Sequence, residues 1–79
     1  MLRNDGKFEI FTVEFLEKGV WLTSPWQKGN CQELTGELGS FDVDDARKHM
    51  LDIKKNNPDT KVRVIKTVIW QDTEIVWSI

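Results

Sequence analysis

The apolar positions of this chain change period along its length, and the changes mark out its elements. Lys7 to Leu16 reads as a strand: Phe8 and Ile10 fall on one face, and Phe11, Val13 and Phe15 on the other. Two half-apolar faces fit a central strand, or a bulge that switches faces near Ile10–Phe11. Glu17-Lys18-Gly19 supplies a turn, with Gly19 free to take positive φ, and Val20 to Thr23 returns antiparallel.

A helical period takes over after Phe41. Val43, Ala46, Met50 and Ile53 recur at spacings of three, four and three, which places them on one buried stripe. Asp44, Lys48, Asp52 and Lys55 fall opposite, with Asp44–Lys48 and Lys48–Asp52 at i,i+4. Asp42 is a good N-cap, and Asp45 stands where a capping box would close. Asp44 and Asp45 suit the positive end of the helix, and Lys54 and Lys55 the negative end. Asn56 or Asn57 can end it, and Pro58 forbids continuation. Lys61 to Trp70 is then rich in β-branched residues, Gln71-Asp72 makes a tight turn, and Thr73 to Ser78 returns. In that last strand Ile75, Trp77 and Ile79 share one face, and Glu74, Val76 and Ser78 the other.

Ser24 to Ser40 fits neither period. Pro25 interrupts a ladder, and Gly29, Gly36 and Gly39 punctuate the rest. A long structureless loop is unusual in a small domain, so a short strand around Cys31–Thr35 is expected. The prediction is one α+β domain over residues 1–79: an antiparallel sheet of about four to five strands with one helix on one face, in the order β-β-(β)-α-β-β.

Phe41-Asp42-Val43-Asp44-Asp45-Ala46, then Leu51, then Val62-Arg63-Val64-Ile65-Lys66-Thr67 resembles a module of small phage-encoded α+β accessory proteins. The resemblance spans residues 41–67, about a third of the chain. It implies a phage-type protein that binds and inhibits a host enzyme or an anti-phage defence complex, of anti-CRISPR or anti-restriction type. It carries no functional residue across, because the shared pattern is structural.

Composition narrows the function further. Eleven basic and 13 acidic residues leave a net charge of −2, which argues against a dedicated nucleic-acid binder. The charges are unevenly spread. Residues 29–45 hold Glu33, Glu37, Asp42, Asp44 and Asp45 without a Lys or Arg, whereas residues 46–66 are rich in both. Cys31 is the only cysteine, so no internal disulfide forms, and the polar amino terminus lacks a signal core. Both make the cytoplasm the expected location, the host's if the protein is phage-encoded.

Candidate chemistry is sparse. Cys31 with His49 is the one conceivable nucleophile–base pair, and nothing in the sequence marks a third group. One Cys and one His do not make a tetrahedral metal site, and the aspartates at 42–45 are explained by capping. No cofactor motif is present: Thr35 to Ser40 has two glycines but lacks the lysine of a phosphate loop.

Four tryptophans in 79 residues are more aromatic surface than one small core needs. The expectation is therefore a non-enzymatic protein-binding module, with Trp26, Trp70, Glu33, Glu37, Asp44 and Asp45 as contact residues. One alternative is a nucleic-acid-binding regulator using Arg47, Lys54, Arg63 and Lys66. Another is a homodimer through an open sheet face or edge strand.

Overall fold

A computed structural model describes residues 9–68 and 73–79. Lys7, Phe8, Trp70 and the Gln71-Asp72 turn therefore lie outside the described residues. Four strands, β1 (Glu9–Glu17), β2 (Val20–Thr23), β3 (Val62–Val68) and β4 (Thr73–Ser78), form one antiparallel sheet in the order β2-β1-β3-β4. Two helices separate the hairpins: α1 (Cys31–Thr35) and α2 (Val43–Asn56).

β1 is central, as its two apolar faces predict, and its register with β3 runs unbroken from Glu9 to Phe15. No bulge is therefore needed at Ile10–Phe11. Phe11, Val13 and Phe15 face the helix; Ile10, Thr12 and Glu14 face the other way. The turn to β2 uses two left-handed residues, Lys18 (φ 52°) and Gly19 (φ 80°). That geometry matches the natural twist of a two-residue hairpin.

α2 packs on β1 and β3 through the predicted stripe. Ala46 and Met50 are buried with Val13, Val62 and Val64, and Val43 and Ile53 flank them. Asp42 caps the helix, its carboxylate accepting the Asp44 N–H at 2.8 Å. The expected capping box does not form: the Asp42 N–H donates to Ser40 Oγ at 3.0 Å, and the Asp45 carboxylate stands 3.8 Å from Lys28. At the other end Lys54 Nζ donates to the Thr60 carbonyl at 2.9 Å and holds the chain as it leaves the helix.

Two predictions need correction. Cys31–Thr35 is a short helix, so the order is β-β-α-α-β-β. Local side-chain bonding wins over strand propensity here. Gln27 Oε1 accepts the Gln32 N–H, Thr35 Oγ1 donates to the Cys31 carbonyl, and Gly36 closes the helix at φ 82°. The strict alternation expected in β4 also fails. Val64 pairs with Trp77 but Ile65 with Ile75, so Val76 is the extra residue of a β-bulge. Trp77 thereby reaches the helix side and packs on the core, while Ile75 turns to the opposite face and is exposed.

The segment from Ser24 to Phe41 is folded against the sheet. β2 pairs only with residues 14–17 of β1. Beyond it, the Ser24 N–H bonds the Val13 carbonyl, and Ser40 exchanges both backbone bonds with Phe11. Thr12 Oγ1 adds a bond to the Leu38 carbonyl at 2.6 Å. Glycine is required at 39, since a Cβ there would collide with the Phe11 carbonyl. The returning segment thus covers the part of β1's edge that β2 leaves open.

Candidate functional site

α2 covers β1 and β3, so β2 runs out past the flank of the helix. Asp45, Lys48, His49, Asp52 and Ile53 line that flank, at i, i+3, i+4, i+7 and i+8. Two open hollows lie along it. One, ≈ 380 Å³, is bounded by Trp26, Lys28, Asp45, Lys48, His49 and Asp52. The other, ≈ 310 Å³, includes Phe15, Ser24, Ile53, Asn57 and Thr60 in its wall.

The bond between Ser24 Oγ and His49 Nε2, at 2.9 Å, stands between the two hollows. Ser24 is buried, and its backbone is tied on both sides: its N–H to Val13, its carbonyl to the Trp26 N–H at 2.8 Å. This short turn aims the Trp26 indole back over the helix. The indole stacks on the His49 imidazole, with ring centroids 4.6 Å apart and planes 13° from parallel. The stack holds the Trp26 ring in one orientation, half-buried, against the edge of the core. Burial pushes the His49 pKa below its ordinary value, and Asp52 opposes that shift. The imidazole is therefore neutral near pH 7, and its bond with Ser24 joins two neutral groups.

A serine oxygen 2.9 Å from a histidine nitrogen also has the spacing of a nucleophile and its base. The surroundings do not complete that chemistry. Ser24 is only 6% exposed, and among the described residues no group bonds the other ring nitrogen of His49. The pair works as a clamp between the end of β2 and α2. The pairing considered from sequence, Cys31 with His49, is absent among the described contacts. Cys31 is fully buried on α1 with its Sγ 3.8 Å from Thr35 Oγ1, and burial raises its pKa. Such a thiol stays protonated and unreactive.

The expected contact residues are partly brought together. Trp26 and Asp45 bound the same hollow. Asp44 is exposed beside it in sequence, in the first turn of α2. Glu33 and Glu37 are exposed on α1 and just beyond it. Trp70 lies outside the described residues. Sequence reasoning missed Ser24, Lys28, Lys48, His49 and Asp52 as neighbours of Trp26. The flank of α2 was readable from its helical period. That Trp26 would land on it was not, because the segment joining β2 to α2 has no period to follow.

The cations of the nucleic-acid alternative are engaged separately. Arg47 lies over the Trp77 ring at 5.5 Å on the helix side. Arg63 sits on the opposite face, bonded to Glu14 at 2.7 Å and over the Trp21 ring at 4.0 Å. Lys54 caps a carbonyl, and Lys66 is 3.9 Å from Glu9. No helix among the described residues is long and apolar enough to cross a membrane. No known protein family, curated protein or solved structure matches the chain.

Proposed function

We propose that this protein is a non-enzymatic protein-binding module whose contact surface is centred on the Trp26–His49 stack. The observation that carries the reading is the indole itself: oriented by the imidazole, half-buried, and ringed by Lys28, Asp45, Lys48 and Asp52. An aromatic anchor held in place before binding loses little entropy on contact, and a charged rim selects among partners. The rim carries both signs, which favours a protein surface of mixed charge over a polyanion. The resemblance of residues 41–67 to phage accessory proteins would make that partner a host or defence-system protein, inhibited by masking.

Affinity capture from a bacterial lysate tests this with three baits: the native chain, Trp26→Ala and Lys55→Ala. Lys55 is exposed and does not line the hollow. A partner retained by the native chain and by Lys55→Ala, but lost with folded Trp26→Ala, supports the reading. A loss of about tenfold or more in affinity is expected for a hot-spot tryptophan. Capture unchanged by Trp26→Ala would move the contact surface elsewhere.

A further inference from the structure

The two edges of the sheet differ in how they are protected. β4 carries a bulge at Val76, which discourages pairing with another strand. The upper part of β1 is covered by Ser24 and Ser40. Among the described residues, neither a charge, a bulge nor a covering segment guards the short strand β2. Val20-Trp21-Leu22-Thr23 is regular and uncharged, contains no proline, and forms the outermost strand on its side.

Which of its hydrogen-bonding groups lack a partner among the described residues follows from the ladder. Glu17 and Val20 flank the two-residue turn, so Val20 bonds inward. The inward bond from Ser24 to Val13 has the same parity, which also turns Leu22 inward. Trp21 and Thr23 therefore direct their N–H and C=O groups away from β1. Val20 and Leu22 place their side chains on the helix side, 56% and 39% exposed, beside Phe15.

Going beyond the Trp26 reading, we infer that β2 is a self-pairing edge, and that its occupant is a second copy of this chain. A twofold axis through Leu22 sets Trp21 of each copy opposite Thr23 of the other. All the outward groups of both strands are then used, and the sheet continues through the dimer. The two Leu22 side chains meet in a close, non-hydrogen-bonded pair on the helix side. The charge pattern permits this register, since residues 20–24 carry no charge to be doubled across the axis. Shifting the axis to Trp21 would oppose Thr23 to Gly19, whose φ of 80° is not extended.

Sedimentation of the full chain between about 5 and 500 µM tests the inference, because dimerisation follows mass action. The mass should rise toward twice the monomer's. Amide exchange at Trp21 and Thr23 should slow with concentration, while the inward amides of Val20 and Leu22 stay unchanged. Leu22→Lys places two ammonium groups together at the axis and should weaken the dimer at least about tenfold. Thr23→Pro removes an outward donor without touching the bonds to β1 and should do the same. Ile75→Lys, on the far strand, should leave the dimer intact. A native chain that stays monomeric throughout, or a dimer untouched by both β2 changes in folded protein, would overturn the proposal. So would a dimer that Ile75→Lys alone dissolves. These measurements need no foreign partner, so they can fail independently of the Trp26 reading.

Discussion

The two faces of this sheet solve the burial problem by different physics. Under α2, Val13, Val62 and Val64 meet Ala46 and Met50, all nearly or fully removed from solvent. That face works by shape and by apolar area. On the other face the adjacent residues of the same strands are Glu14 and Arg63. They form an ion pair at 2.7 Å, and the guanidinium lies over Trp21. The helix can cover only one face; at this end of the second face the charged groups satisfy each other beneath an indole, while Ile10 and Thr12, farther along β1, are buried on the same face. The lesson is that strand alternation here separates two kinds of energy as well as two directions. Beneath α2 the contacts are apolar; at Glu14 and Arg63 the opposite face carries a matched ion pair.

The largest expected effect breaks the apolar side. Met50→Asp places an unpaired carboxylate where the side chain is 3% exposed and should unfold the domain, removing its cooperative thermal transition. A variant that melts at the native temperature would show that α2 does not pack as described.

The opposite face should respond to pairing rather than to size. Glu14 and Arg63 retain 14% and 21% side-chain exposure, which places the pair between surface and buried cases. Arg63→Ala leaves Glu14 without its partner and uncovers Trp21; a loss of about 2–3 kcal/mol in urea unfolding is expected. Replacing both charges, Glu14→Leu with Arg63→Met, should cost less than Arg63→Ala alone. If the double variant were the worse of the two, the ion pair would be a net stabiliser and the contrast between the faces would need a different basis.

A smaller effect belongs to the helix start. Asp42→Ala should cost about 0.5–2 kcal/mol, since the Asp44 N–H loses its acceptor. Asp45→Ala should cost less, because its partner is the exposed Lys28 at 3.8 Å. Equal losses would mean that the capping box forms in solution after all.

How much of this was readable beforehand divides along the same lines. The central strand, the first hairpin, the stripe of α2 and its cap followed from period and capping chemistry, which act within a few residues. The bulge at Val76 did not, because Ile75, Val76 and Trp77 are all apolar and fit either face; only the partner strand shows the extra residue. α1 was missed because its reasons lie in side-chain bonds of Gln27 and Thr35 that compete with strand propensity. Trp26 was singled out from its place after Pro25. Its ring partner, His49, comes from the other side of the ambiguous segment, and local pattern does not span that distance.

The smallest effect concerns the boundary between the two regimes, where polar Ser24 and His49 sit at the rim of the apolar core. Burial holds His49 below its ordinary pKa in the folded protein, against about 6.5 in the unfolded chain. Between those two values the unfolded chain binds more protons than the folded one. Stability must therefore rise with pH through that window, and be lost as acid takes the solution from above the unfolded value down through the folded one. His49→Gln keeps a polar group near Ser24 but cannot titrate, so it should lack this component. The measurement is the urea midpoint of both proteins at about pH 7.5 and about pH 5.5, supported by the ring-proton titration of His49. The native midpoint should fall further than that of His49→Gln, and Trp26 fluorescence should change with the same apparent pKa, since the rings are in contact. A native chain that gains stability over the variant on acidification would show that the Asp52 carboxylate outweighs burial at this site. The Trp26 ring would then rest on a charged imidazolium, and the rim of the groove would belong electrostatically with the Glu14–Arg63 face rather than with the core.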